Sequence, residues 1–332
     1  EKRQDGDRTM IPLLSRIRAR RVRGLADLDV VLPRRSGRPA PLVVTGPAAS
    51  GKTRLIEAII AAKEACAAYA LHPDASTWFA DPAGSIELVW EVGEAAGEKV
   101  TPWAPADPQR SQRIDEGLRT TLRAYSTDAA RWKLEYLNAG RRLERGSPSS
   151  ALSSPKAPAA AERVGTGRNK YDFVRGYLHG AAFMHAAGIV GAMEEQGLVI
   201  ASEHGSALAG FAARLTQLTD KLLWLGVRST DDRARCIFAR RTGRGSQDIE
   251  LSELSDSERM LVLFAATYEA LGLSKSLLLV DTPELALHPE DQARVFEGLQ
   301  AAMREGQLVV ATSSPAILRR VPSDQVLILP SP

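Results

Sequence analysis

The chain has 332 residues, 44% of them hydrophobic and 25% charged, with a net charge of +3. That is enough apolar material for one large domain or two ordinary ones, in the balance of a soluble globular protein. Two cysteines, Cys66 and Cys236, exclude a disulfide framework and a C-x-x-C metal knuckle, and fit a reducing, cytoplasmic setting.

Glu1 to Arg8 is mostly charged and carries no apolar leader run. Arg16 to Val22 and Asp27 to Leu32 read as two short strands around Gly24, a hairpin. Arg16, Arg18, Arg20, Arg21 and Arg23 lie close together here, and Arg233, Arg235, Arg240, Arg241 and Arg244 form a second group. Such groups can contact nucleic-acid phosphates, but solvated strand faces explain them better at this small net charge.

After a Pro/Arg/Gly loop at 33–40, the run Leu42-Val43-Val44 leads into Gly46-Pro47-Ala48-Ala49-Ser50-Gly51-Lys52-Thr53, a full G-x-x-x-x-G-K-[ST] phosphate-binding loop. Arg54 to Ile60 has helical spacing, so the order is strand, glycine loop, helix. The glycines let backbone N–H groups approach phosphates, and the helix N-terminus adds a favourable dipole. Lys52 would reach the β- and γ-phosphates of ATP, and the Thr53 hydroxyl would ligate Mg²⁺. Ser85 to Val92 alternates as a half-buried strand does.

Between about 111 and 225 the character changes. Arg113 to Arg145 has helical spacing, 146–170 is a flexible excursion rich in Ser, Pro, Ala and Gly, and Tyr171 to Leu225 is again helical. Each arm would extend only roughly 40–50 Å, which excludes a long coiled coil. The most apolar long stretch, Gly180 to Met193, holds His185 and is too short to span a bilayer, so no membrane partner is expected. His72, His179, His185 and His204 show no metal spacing.

The final third alternates strands and helices: Cys236 to Ala239, then a helix from Ser257 to Leu271, a strand over Ser276 to Val280, a helix from Glu290 to Arg304, and strands at Gln307 to Thr312 and Val326 to Leu329. This is an α/β pattern with a mostly parallel sheet. Leu277-Leu278-Leu279-Val280-Asp281 ends four apolar residues in a carboxylate, a Walker B strand whose Asp281 would hold Mg²⁺ directly or through water.

Three further segments carry a resemblance. Asp281 to Pro289 looks like the D-E-P-E-x-x-L-H-P segment of ABC-type ATPases in the OLD/RecF/SMC-like group. Leu254-Ser255-Asp256-Ser257-Glu258-Arg259 is similar to their L-S-x-G-E-R signature, with Ser257 in place of glycine. Ala311 to Pro315 looks like their T-H-S-P switch segment. The resemblance implies an ABC-type head with an N-terminal antiparallel β-hairpin and a helical insertion. Its lobes would be 1–110 and 226–332, and the insertion 111–225. It also implies two heads sandwiching ATP, with Ser255 and the helix after it contacting the γ-phosphate in trans. The same Ser255 with Glu258 is also a capping box, and both can hold at once.

Two departures concern chemistry. The glutamate that normally polarises the attacking water is replaced by Thr282, which cannot act as a carboxylate base, and the switch histidine by Ser313. Glu284 would substitute if the turn presents it, although Pro283 fixes the local path. Slow hydrolysis, with ATP binding as the main event, is the expectation. Gln109 and Gln112 are the candidates for the glutamine that family members place near the metal.

The leading expectation is therefore an ATP-dependent switch that dimerises on ATP and regulates a separate effector chain, such as an anti-phage nuclease. Any nuclease activity is expected on that separate chain rather than after the last strand of this one. The alternatives are a DNA-repair ATPase that binds duplex DNA and a nucleotide-stabilised structural subunit with little turnover.

Overall fold

The computed structural model describes residues 11–69, 71–93, 97–107, 109, 114–143, 159–180, 208–230, 233–243 and 245–331. The chain opens with β1 (Pro12–Arg20) and β2 (Leu28–Val31), a small hairpin β3 (Arg34–Arg35) and β4 (Arg38–Pro39), and β5 (Leu42–Thr45), which feeds helix α1 (Lys52–Ala67). β6 (Ser85–Val92), β7 (Glu98–Trp103), α2 (Glu116–Arg123), β8 (Leu134–Leu137), α3 (Ala160–Val164) and α4 (Ala209–Leu218) follow. β9 (Leu222–Thr230), β10 (Arg233–Thr242) and β11 (Gly245–Glu250) precede α5 (Asp256–Leu271). The last third runs β12 (Leu277–Asp281), α6 (Pro289–Ala302), β13 (Gln307–Ala311), α7 (Pro315–Leu318) and β14 (Val326–Ile328).

Five of these strands form one parallel sheet in the order β14-β5-β13-β12-β8. The inner strands are mostly apolar and buried because both faces are covered, with Glu135 on β8, Asp281 at the end of β12 and Gln307 at the start of β13 as buried polar exceptions. Val43, Leu278, Val280, Leu308 and Val310 face the core that α5 and α6 complete. Leu42, Val44, Leu277, Leu279, Val309 and Ala311 face the opposite core, shared with α1 and the N-terminal strands. The N-terminal hairpin belongs to a four-stranded antiparallel sheet, β2-β1-β6-β7, and a second antiparallel sheet has the order β11-β10-β9.

A bulge interrupts the β1–β6 ladder between Leu14 and Arg16. The buried amide of Gln307 fills in there: its Oε1 accepts from the Leu14 N–H and its Nε2 donates to the Leu14 carbonyl, each at 2.7 Å. A side chain of β13 thus stands in for a strand neighbour of β1 and ties the two sheets together.

The middle of the chain corrects the sequence reading. Among the described residues of the range 113–145 read as helical, only Glu116–Arg123 is a helix, capped by the Asp115 side chain. Leu134–Leu137 is instead the edge strand β8, paired in parallel with β12 from Leu277↔Leu134 to Val280↔Leu137. A four-residue buried run satisfies helix and strand periodicity equally, and pairing with β12 decides it. Within 146–170, residues 146–158 lie outside the described residues, while α3 and a 3-10 turn at Arg168–Tyr171 pack into the fold. Arg163, Val164 and Lys170 are buried there, which is not the exposure of a loose excursion. Residues 173–180 and α4 are helical as expected, 181–207 lie outside the described residues, and the chain turns to strand at Leu222. Among the described residues no helix is long and apolar enough to cross a membrane.

Candidate functional site

The C-terminal ends of the parallel strands lie in register. Thr312 N–H donates to the Val44 carbonyl at 2.9 Å, and Thr282 N–H to the Ala311 carbonyl at 2.8 Å. The loops after β5, β13, β12 and β8 therefore open on one edge, where ligands of parallel α/β sheets bind.

After β5 the backbone enters conformations that suit glycine. Gly46 has φ 152° and Gly51 φ 92°, and Ala49 between them stands at φ 61°. A Cβ on Gly46 would lie 2.6 Å from Ser50 Oγ and 2.8 Å from the Leu329 carbonyl, and one on Gly51 2.6 Å from the Gly24 carbonyl. Both glycines are therefore fixed by close approach as well as by φ. Pro47, Ala48 and Ala49 are exposed at the tip, and Ser50 is buried with its hydroxyl lacking a partner. Lys52 Nζ donates to the carbonyls of Gly46 and Pro47, 2.8 Å each, which folds the ammonium over the loop. The first turn of α1 has neither an acidic residue nor a side-chain cap, so its N–H groups and dipole remain available to an anion.

Thr53, one residue on, donates its hydroxyl to Asp281 Oδ2 at 2.8 Å. Asp281 is 1% exposed, and its Oδ1 has no partner. Burial pushes the Asp281 carboxyl above its ordinary range, against the pull of the Thr53 hydroxyl and the Arg141 guanidinium. A buried carboxylate with one empty oxygen beside a hydroxyl fits a hard divalent cation that also takes oxygens from a nucleotide. Among the described residues no group of three or more His, Cys, Asp or Glu gathers to hold a metal.

Thr282 turns the chain sharply, at φ 47°. Its hydroxyl is buried and unpartnered. The turn carries Glu284 to the loop after β13, where its Oε1 accepts the Ser313 backbone N–H at 2.8 Å. Its Oε2 is buried without a partner. Asp281, Thr282, Glu284 and Ser313, read separately from sequence, are thus brought together, with the Glu284 carboxylate two residues beyond position 282 and bonded to the Ser313 N–H.

Ser255 and Ser257 stand apart from this group. Ser255 caps α5 in a reciprocal box with Glu258, whose carboxylate takes a fork from Arg240 at 2.6 Å on both arms. The Ser255 side of the helix end is exposed, and the Ser257 hydroxyl donates to the Ala286 carbonyl. Among the described hydrogen bonds neither serine reaches Lys52 or Thr53.

Two residues were missed in the sequence. Register with β12 puts Asn138, directly after β8, beside Asp281, with its Oδ1 buried and unpartnered. That is the strand end facing the Asp281 carboxylate; of the glutamines expected near the metal, Gln109 lies on an exposed turn and Gln112 outside the described residues. Arg141 is 2% exposed, and its guanidinium donates to the carbonyls of Asp281 and Thr282 at 2.6 Å each. Neither residue belongs to a motif, and only the placement of β8 in the sheet finds them.

Five of the ten arginines in the two groups pair with carboxylates among the described residues. Arg16 pairs with Asp29, Arg18 with Glu87, Arg21 with Asp81, Arg235 with Glu250 and Arg240 with Glu258. Arg244 lies outside the described residues.

Residues 102–319 match the family described as "AAA domain, putative AbiEii toxin, Type IV TA system". No curated protein matches the chain. Among solved structures it is similar to the Smc head domain with an extended coiled coil bound to the C-terminal domain of ScpA, from Pyrococcus furiosus. The TM-score there is 0.53 at 13% identity, over 93% of this chain and 92% of that one. A second similar structure is an SmcHead bound to the C-winged helix domain of ScpA, with TM-score 0.53 and 12% identity over 95% of each chain. At such identities the likeness is one of fold.

Proposed function

The chain belongs to the AAA-domain family matched over two thirds of its length, a family of P-loop ATPases, and from this premise we propose that it is an ATP-driven switch whose two copies close on nucleotide and act on a separate effector chain. One observation carries the proposal. The unpartnered oxygens of Asp281 and Glu284 are buried on one strand-end segment, between Thr53 of the phosphate loop and Ser313 of the switch loop.

In this reading Gly46 to Gly51 present backbone N–H groups to the phosphates, and Lys52 leaves its loop carbonyls for the β- and γ-phosphates. Thr53, Asp281 and Asn138 surround the place of Mg²⁺. The cation, when bound, neutralises charge on the phosphate oxygens. Glu284, held by the Ser313 N–H through Oε1, keeps Oε2 free to take a proton from water. Ser255 and the N-terminus of α5 face the partner copy's γ-phosphate, so binding joins the copies and loss of phosphate parts them.

The effector role draws on two kinds of support. The family description names a toxin of a paired system, and the similar Smc heads are bound to ScpA. An anti-phage nuclease is the effector this reading favours. A role in DNA repair draws less support, because five of the ten arginines that would meet phosphates are paired with carboxylates.

Sedimentation with and without a non-hydrolysable ATP analogue tests the switch. The wild type is expected to dimerise only with nucleotide, and Ser255→Arg to stay monomeric with it. Equal dimer content in both conditions would defeat the sandwich.

A further inference from the structure

We infer that Arg141 is a positioning residue that links helix α5 to Glu284, so that a shift of the helix end re-aims the base. The inference rests on the reading of Glu284 as the base and of α5 as the element that meets the partner's nucleotide.

The guanidinium is surrounded on every side. Nη1 donates to the carbonyls of Asn138 at 2.8 Å and Asp281 at 2.6 Å, and Nη2 to that of Thr282 at 2.6 Å. Nε points to Met260 Sδ at 3.0 Å, and the group lies 4.9 Å from the ring centroid of Phe264. Met260 and Phe264 are one turn apart on α5. A guanidinium is a rigid planar fork, so two successive carbonyls bonded to it cannot rotate independently. Residue 282 then stays at φ 47°, a region that β-branched residues avoid. Burial holds the guanidinium pKa down to about 10, still well above neutrality, so the fork remains charged.

From Thr282 the path to Glu284 has little freedom. Pro283 fixes its own φ, and Leu285 N–H closes back on the Thr282 carbonyl at 3.1 Å. The far end of the same turn is also held by α5, where the Ser257 hydroxyl donates to the Ala286 carbonyl. Helix α5 therefore grips the turn at both ends, through Arg141 at Thr282 and through Ser257 at Ala286. Glu284 sits between the two grips. A displacement of α5 by a nucleotide at its N-terminus moves both together and carries the carboxylate with them.

Lysine at 141 keeps the charge and loses the fork. Arg141→Lys is expected to leave ATP affinity within about twofold, while turnover falls about 10²-fold, the scale of an ångström-sized misplacement of a catalytic group. Combined with Glu284→Gln it is expected to slow the enzyme no further, because both changes disable one step. Met260→Leu keeps α5 packed and removes only the sulfur acceptor. It reads the same link if the lysine variant does not fold, with a smaller fall that also vanishes beside Glu284→Gln. Phosphate release and nucleotide titration on the full chain measure these quantities. Wild-type turnover in both variants overturns the link, as does a loss that persists undiminished in the Glu284→Gln background. A proportional loss of affinity and turnover does so too. If Glu284→Gln alone turns over normally, the reading of Glu284 fails instead.

Discussion

Replacing Thr282 by glycine should make the protein more stable and less active. Thr282 holds φ 47° with a branched side chain, which costs about 1–2 kcal/mol relative to a relaxed L-residue. Its buried, unpartnered hydroxyl adds a desolvation cost of about 1–3 kcal/mol. Glycine removes both and returns about 0.5–1 kcal/mol in backbone entropy. The net gain is about 1–4 kcal/mol, which in a chain of this size raises the melting temperature by a few degrees. Glycine also frees the turn that aims Glu284, so turnover should fall as stability rises, a trade-off expected where strain is stored at a working site. Differential scanning calorimetry and phosphate release on the same preparations measure the two sides. Thr282→Val, which keeps the branching and removes the hydroxyl, should recover only the desolvation part. A lower melting temperature for the glycine variant would refute the reasoning, since it would mean that residue 282 is not strained.

Four further substitutions probe the site. With Glu284 as the proposed base, Glu284→Gln should lower turnover ~10²–10⁴-fold in a phosphate-release assay, and Thr282→Glu should change little. Lys52→Ala should abolish nucleotide binding in calorimetric titration while the circular dichroism spectrum stays native, since among the described residues the ammonium's hydrogen bonds go to its own loop carbonyls. Asp281→Asn should raise the melting temperature of the nucleotide-free chain at neutral pH and lose hydrolysis. Burial raises the Asp281 pKa in the folded state, so its contribution favours folding below the unfolded-state pKa and is lost as pH rises through the folded value. The stability advantage of the asparagine variant should therefore shrink on acidification, and a constant advantage across pH would contradict the assignment.

The parts of the site written in local chemistry were legible from sequence. Glycines flanking a loop, a lysine and a hydroxyl at the start of a helix, and an apolar run ending in aspartate each carry their meaning within a few residues. β8 did not, because Leu134-Glu135-Tyr136-Leu137 places a charge inside a buried strand. Glu135 is tolerated there only because Arg163 and Lys170, at 3.6 and 3.4 Å, come to it from α3 and the turn after it. No pattern over residues 130–140 reports partners some thirty positions away. Asn138 and Arg141 inherit that opacity, since their roles depend on which strand β8 lies against. Glu284 was legible as a residue and not as a geometry: its reach to Ser313 depends on a left-handed threonine, a conformation that sequence disfavours.

The order of strands in the parallel sheet bears on how the chain is made. β5, which carries the phosphate loop, lies between β13 and β14, and its neighbours are thus residues 307–311 and 326–328. Leu14 likewise waits for the amide of Gln307, 293 residues later. During synthesis the nucleotide-binding strand is an open edge until nearly the whole described chain has emerged, so the site cannot assemble on a nascent fragment. An incompletely translated chain would then carry its phosphate loop on an unpaired strand. That strand gains both neighbours only when the last strands come in beside the first.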